Sequence, residues 1–213
     1  MTIKKCLYKT ARNIVTLEDY VTLLLASVIC ASGLAINSET VVIGSMLISP
    51  MLKPIINIAI SLLNWKPKVI IISIIHTIAM LSLSCLIAYF CGMIIMKYFP
   101  TIKDAVSKDE NQTVLGRASL IDETYKAWAF PSMIAVCGGI LLARSHCIEN
   151  HINTTIIGIG ISTSILPPVI AAGILLTGLN TSGSRYAGYS ALLALVNIFL
   201  IFISYVITLF YSW

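Results

Sequence analysis

The chain is short of charge. Of its 213 residues only 11% are Asp, Glu, Lys or Arg, whereas 58% are apolar. Soluble domains carry about 25% charged residues, so fewer than half of the usual ionisable groups are present. Those present fall between long apolar runs instead of being spread along the chain. This pattern excludes a cytosolic enzyme, a nucleic-acid binder and a disordered chain. No soluble domain remains once the apolar runs are removed, so the sequence reads as a multi-pass protein embedded in a lipid bilayer.

Other features are lacking as well. The six cysteines (Cys6, Cys30, Cys85, Cys91, Cys137 and Cys147) include no Cys-x-x-Cys pair, and four of them lie in apolar runs. They read as small apolar fillers, not as a disulfide framework or a zinc site. His76, His146 and His151 show no metal-ligand spacing, so neither metal nor cofactor is implied. There is no His-Glu-x-x-His, no aspartate pair and no nucleophile–base spacing, and enzymatic activity is not expected. Acid is also missing from the apolar runs: Glu39 and Glu123 stand near their ends only. A proton carrier would ordinarily hold a carboxylate there.

The net charge of +5 includes Lys4, Lys5, Lys9 and Arg12, all ahead of the first run. Basic residues in that position set the orientation of a membrane protein and call for no nucleic-acid partner.

Six apolar runs are present. Tyr20 to Ile36 has 17 residues, about 25 Å if helical and the short end for a span. Thr40 to Leu63 contains Pro50, Lys53 and Pro54 near its centre, and Val69 to Met96 has His76 as its only titratable ring. After the polar stretch Lys97 to Lys126 come Ala127 to Ala143, Ile152 to Leu179 with Pro167-Pro168, and Tyr186 to Tyr211. The organisation is therefore a basic segment 1–19, a three-run unit 20–96, a polar loop 97–126 and a second three-run unit 127–213. Pro50 to Pro167 and Val69 to Tyr186 are both 117 residues apart. The fold class expected is all-α: two three-segment repeats with proline-broken middle helices. Three spans per unit is an odd number, which makes the repeat an inverted one, as in many secondary transporters.

Proline in a helix removes a donor and crowds the preceding turn. Irregular backbone in a bilayer is tolerated only where protein or a wet cavity covers it. Ser49-Pro50 has the chemistry of a helix start, serine as N-cap and proline at the first position, and Ser164 to Pro168 repeats it less cleanly. Two half-helices would then meet near the midplane, with a positive end suited to an anion and a carbonyl end suited to a cation. The candidate solute-binding residues are Gly44, Ser45, Ser49, Pro50, Lys53, Pro54, Gly160, Ser162, Ser164, Pro167 and Pro168. Blander roles stand beside these. Prolines also merely kink helices, glycines such as Gly138 and Gly139 also serve close packing, and lysines also snorkel to headgroups. Asn57, His76 and Asn197 read first as polar links between helices.

Val41 to Ile55, with Gly44-Ser45 and Ser49-Pro50 inside it, resembles the signature of the uncharacterised hydrophobic membrane domain family, domain of unknown function 389. Ile161 to Gly173 is similar to its second signature, and Arg117-Ala118-Ser119 and Asn197 look like family features. The resemblance spans roughly Asp19 to the C-terminus. It implies a multi-pass membrane protein of a mainly prokaryotic family without an established substrate. Members usually carry a small residue where Lys53 stands, so Lys53 departs from the pattern.

The leading expectation is a transporter or channel for a small solute or ion, its site at the two broken helices; the alternative is a scaffold or assembly subunit. Short spans favour a homo-oligomer. The layout favours six crossings with both termini cytoplasmic, although the count of basic residues favours re-entrant middle segments.

Overall fold

A computed structural model describes residues 15–98, 125–147, 165–177 and 183–211. Among these, all regular structure is α-helical.

α1 (Leu17–Ala35) opens at Thr16, whose backbone N–H and hydroxyl donate to the Asp19 carboxylate at 2.9 and 3.2 Å. Thr-x-x-Asp ahead of an apolar run is a capping signal. The helix therefore starts three residues before the apolar run, and Asp19 belongs to it instead of to the basic segment. α1 ends where Asn37 takes a left-handed φ of 56°, a conformation Asn tolerates through its short polar side chain. α2 (Glu39–Ile48) folds straight back on α1. Gly33 permits the approach, since a Cβ there would lie 2.9 Å from the Val42 side chain.

The chain then breaks. Pro50 disfavours helical backbone at Ser49, which is extended at φ −67° and ψ 123°. α3 (Leu52–Leu63) resumes at a 45° bend. Its first turn is closed by the Lys53 N–H bonding to the Pro50 carbonyl at 3.1 Å. A turn with Trp65 at φ 50° leads to α4 (Pro67–Tyr98), 32 residues without interruption.

α4 runs parallel to α1. Tyr20 meets His76 at one level and Ser27 meets Ser84 one step further along both helices. The α2–α3 pair thus carries the chain from the far end of α1 back past its beginning.

α5 (Tyr125–Cys147) packs on α7 (Gly183–Tyr211) through Gly139, where any side chain would run into Ser204 and the Ile201 carbonyl. α6 (Ile165–Leu175) lies along α4. A Cβ on Gly173 would come 2.6 Å from the Cys85 carbonyl, and one on Gly92 would come 3.3 Å from the Ile174 Cα. Both helices advance together, so α6 is parallel to α4. α7 starts at Gly183, a short connection after Thr177, yet Ile198 in mid-α7 borders the same cleft as Ile165, so α7 folds back on α6. α3 also contacts α7. One core runs through the bundle, including Leu23, Met46, Ile55, Ile60, Met80, Ile170 and Tyr205. Large apolar side chains cover the outside too, among them Ile71, Ile75, Phe90, Leu195 and Phe199. That outer surface suits hydrocarbon, not water.

α1, α4 and α7 are each long and apolar enough to cross a membrane, and α2 with α3 makes a fourth span if the bent pair is one. Residues 148–164 lie outside the described part, so the expected run Ile152 to Leu179 is seen only from Ile165 onward.

Candidate functional site

The two proline-bearing segments converge. Met51, Pro54 and Ile55 from the first meet Ile165 from the second around a cleft completed by Thr77, Met80, Leu81 and Ile198. Four helices contribute to it, and it has room for about one water molecule. Pro167 and Pro168 are buried within α6.

The Ser49-Pro50 start is not capped as the sequence led one to expect. Ser49 is the residue that closes α2, Met51 flanks α3, and no side chain caps α3. The Ser49 hydroxyl is buried and has no hydrogen-bond partner among the described residues. With its backbone held extended by Pro50, it lies two residues ahead of Met51, the N-cap position of α3, outside the usual capping geometry. Ser45 is buried and donates to the Val42 carbonyl at 2.6 Å, so it is already satisfied. Gly44 does not serve a close backbone approach: nothing lies within 4 Å of a Cβ placed there. Gly160, Ser162 and Ser164 are outside the described residues.

Lys53 is paired. Its Nζ lies 2.5 Å from the Asp19 Oδ1, with the carboxylate side chain 9% exposed and the lysine 47%. Asp19 therefore holds Thr16 on one side and the first turn of the broken helix on the other. Sequence reading found no acid inside the apolar runs because hydropathy places Asp19 one residue outside. The signal that would have included it is Thr16-x-x-Asp19. Nor is Lys53 an isolated positive charge beside a helix start, because a carboxylate occupies one of its donor directions.

Tyr20, the next residue along α1, is hydrogen-bonded through its hydroxyl to His76 Nδ1 at 2.6 Å. His76 is thus a link between α1 and α4. Asn57 and Asn197 are both buried. Two consecutive α1 residues, Asp19 and Tyr20, tie α3 and α4 to one end of α1.

Buried prolines, interhelical polar links and a lipid-compatible exterior define a helical membrane protein. More particularly, the chain belongs to the family described as domain of unknown function (DUF389), whose profile matches residues 46–203. It is similar to an uncharacterized protein of Methanocaldococcus jannaschii, 29% identical over 210 residues. That match takes in 96% of this chain and 58% of the relative, so the chain spans a little over half of the relative's length. No solved structure matches the chain.

Proposed function

We propose that this protein is a transporter or channel that passes a small solute or ion between its two broken helices. The observation carrying the proposal is the shared cleft, where Met51 and Pro54 of one break meet Ile165 of the other between four helices. Irregular backbone in a membrane needs cover from protein or water, and the convergence gives both segments that cover. The helix directions support an inverted repeat as the frame. α6 is parallel to α4 and α7 is antiparallel to α6, so the long helices α4 and α7 oppose each other. Each middle helix leans on the long helix of the other half, α3 on α7 and α6 on α4. A two-fold axis in the membrane plane produces that reciprocity.

The same directions support a full crossing by the α2–α3 pair. A re-entrant segment would return the chain to the side it left, and α4 would then run against α1. Tyr20–His76 and Ser27–Ser84 instead align the two helices in one direction.

Solute flux in liposomes, over a panel of small anions and cations, tests the proposal. Flux that Ser49→Ala or Lys53→Met reduces supports it. A folded, reconstituted protein that moves none of the panel favours the scaffold reading.

A further inference from the structure

Lys53 has a half-exposed side chain at a level that the surrounding helices place in hydrocarbon. Asp19 and Lys53 are in contact, and Tyr20, adjacent to Asp19, is bonded to His76, which fixes the level of the pair against α4. Residues 69–96 of α4 carry no charge, so centring this run, about 42 Å long, on a hydrocarbon layer of about 30 Å puts His76 about 5 Å inside the boundary. Placing the boundary at Lys68 deepens it to about 12 Å, eight residues along the helix. In both placements the pair lies within the apolar layer. Snorkelling does not account for Lys53, because its Nζ is held 2.5 Å from Asp19 instead of reaching for headgroups. A lysine side chain that is 47% exposed at that level faces water or faces lipid, and a charged side chain against lipid is costly, up to about 2.5–3.5 kcal/mol at a span's centre.

We infer that the Asp19–Lys53 pair forms the floor of a water-filled funnel that opens beside the α3–α4 turn and admits small anions. The inference deepens the transport reading and rests on it for its purpose, though not for its geometry. The Asp19 side chain is nearly buried while that of Lys53 is half exposed, so the accessible part of the pair belongs to the cation. At the mouth stand Lys66 and Lys68, with Glu18 as the exposed acid of the same end. The floor adjoins the break itself: Lys53 lies in the first turn of α3, beside Pro54 of the cleft. The buried Ser49 hydroxyl, without a hydrogen-bond partner among the described residues, lies just before that turn.

The experiment uses the full chain with its six native cysteines replaced, reconstituted in vesicles. Cysteine is introduced singly at Lys53, at Thr16 and at Ile75, the last being an exposed apolar neighbour of His76 at the same level. Membrane-impermeant methanethiosulfonates, one anionic and one cationic, are applied from each side. The funnel predicts labelling at position 53 from one side only and at least tenfold slower labelling at Ile75→Cys. It also predicts that the anionic-to-cationic rate ratio at Thr16→Cys falls at least threefold when Lys53→Met is added. Because Lys53→Met strands Asp19, the ratio is measured also with Asp19→Asn and Lys53→Met together. No labelling at position 53, equal labelling at Ile75→Cys, or an unchanged ratio in a folded double variant overturns the inference. Flux is measured separately: labelling without flux sinks the transport reading and leaves the funnel, whereas flux without labelling sinks the funnel alone.

Discussion

The two broken segments share a layout and differ in chemistry. At the first, an extended Ser49 separates two helices bent by 45°, and a lysine in the resuming turn finds its carboxylate on another helix. At the second, every residue from Ile165 to Leu175 is buried, and its two prolines sit in helical backbone among apolar neighbours. One side of the meeting point is therefore polar and partly open, and the other is closed packing. An approximate repeat does not require equivalent roles. A half that is packed solid on α4 is a fixed wall, against which the polar half has room to change.

The contrast breaks most readily at its packed side. Gly173→Val places atoms where the Cys85 carbonyl and Ala88 already stand, and neither neighbour is the flexible end of a long side chain. A loss of more than about 3 kcal/mol, or failure to fold, is expected, in line with severe overpacking. Gly44→Ala, in open space on the other half, is expected to change stability by less than about 0.5 kcal/mol. Thermal unfolding in mild detergent compares the two, and equal effects would erase the distinction between wall and open side.

A smaller effect is expected at the ion pair. Lys53→Met leaves the nearly buried Asp19 without its counter-charge, at a cost on the order of 2 kcal/mol once the exposure of Lys53 is discounted. Asp19→Asn added to it should restore most of that loss. A double-mutant cycle measures the coupling, and simple additivity would show that the pair is not what joins α1 to α3.

The smallest effect sharpens the comparison. Ser49→Ala removes a buried hydroxyl that makes no hydrogen bond among the described residues, so stability should hold within about 0.5 kcal/mol or rise. If flux nevertheless falls severalfold in the same variant, the hydroxyl serves the solute and not the fold. A stability loss above about 1 kcal/mol would show that Ser49 is structural.

Much of this was written locally. Runs such as Val69 to Met96 could only become helices, since a bilayer leaves no other way to satisfy the backbone of a single segment. Pro50 stops α2 at Ser49 by steric exclusion, wherever the helix goes next. The capping signal at Thr16 likewise places the start of α1 more accurately than hydropathy does, because it reports where backbone donors are satisfied. Other features were invisible at this level. Gly44 and Gly173 are the same residue in similarly apolar sequence, and only the neighbouring helix makes one replaceable and the other not.

The sequence by itself determined the helices, their breaks and their apolar exterior, because backbone satisfaction, proline sterics and hydropathy act over a few residues. Tertiary structure alone decided which groups meet. Asp19 and Lys53 are 34 residues apart, and Tyr20 and His76 are 56 apart. Their encounters follow from α1 and α4 packing in parallel, with a bent pair returning the chain between them. Side-chain volumes at a four-helix junction set that arrangement, and no local pattern records how such volumes combine.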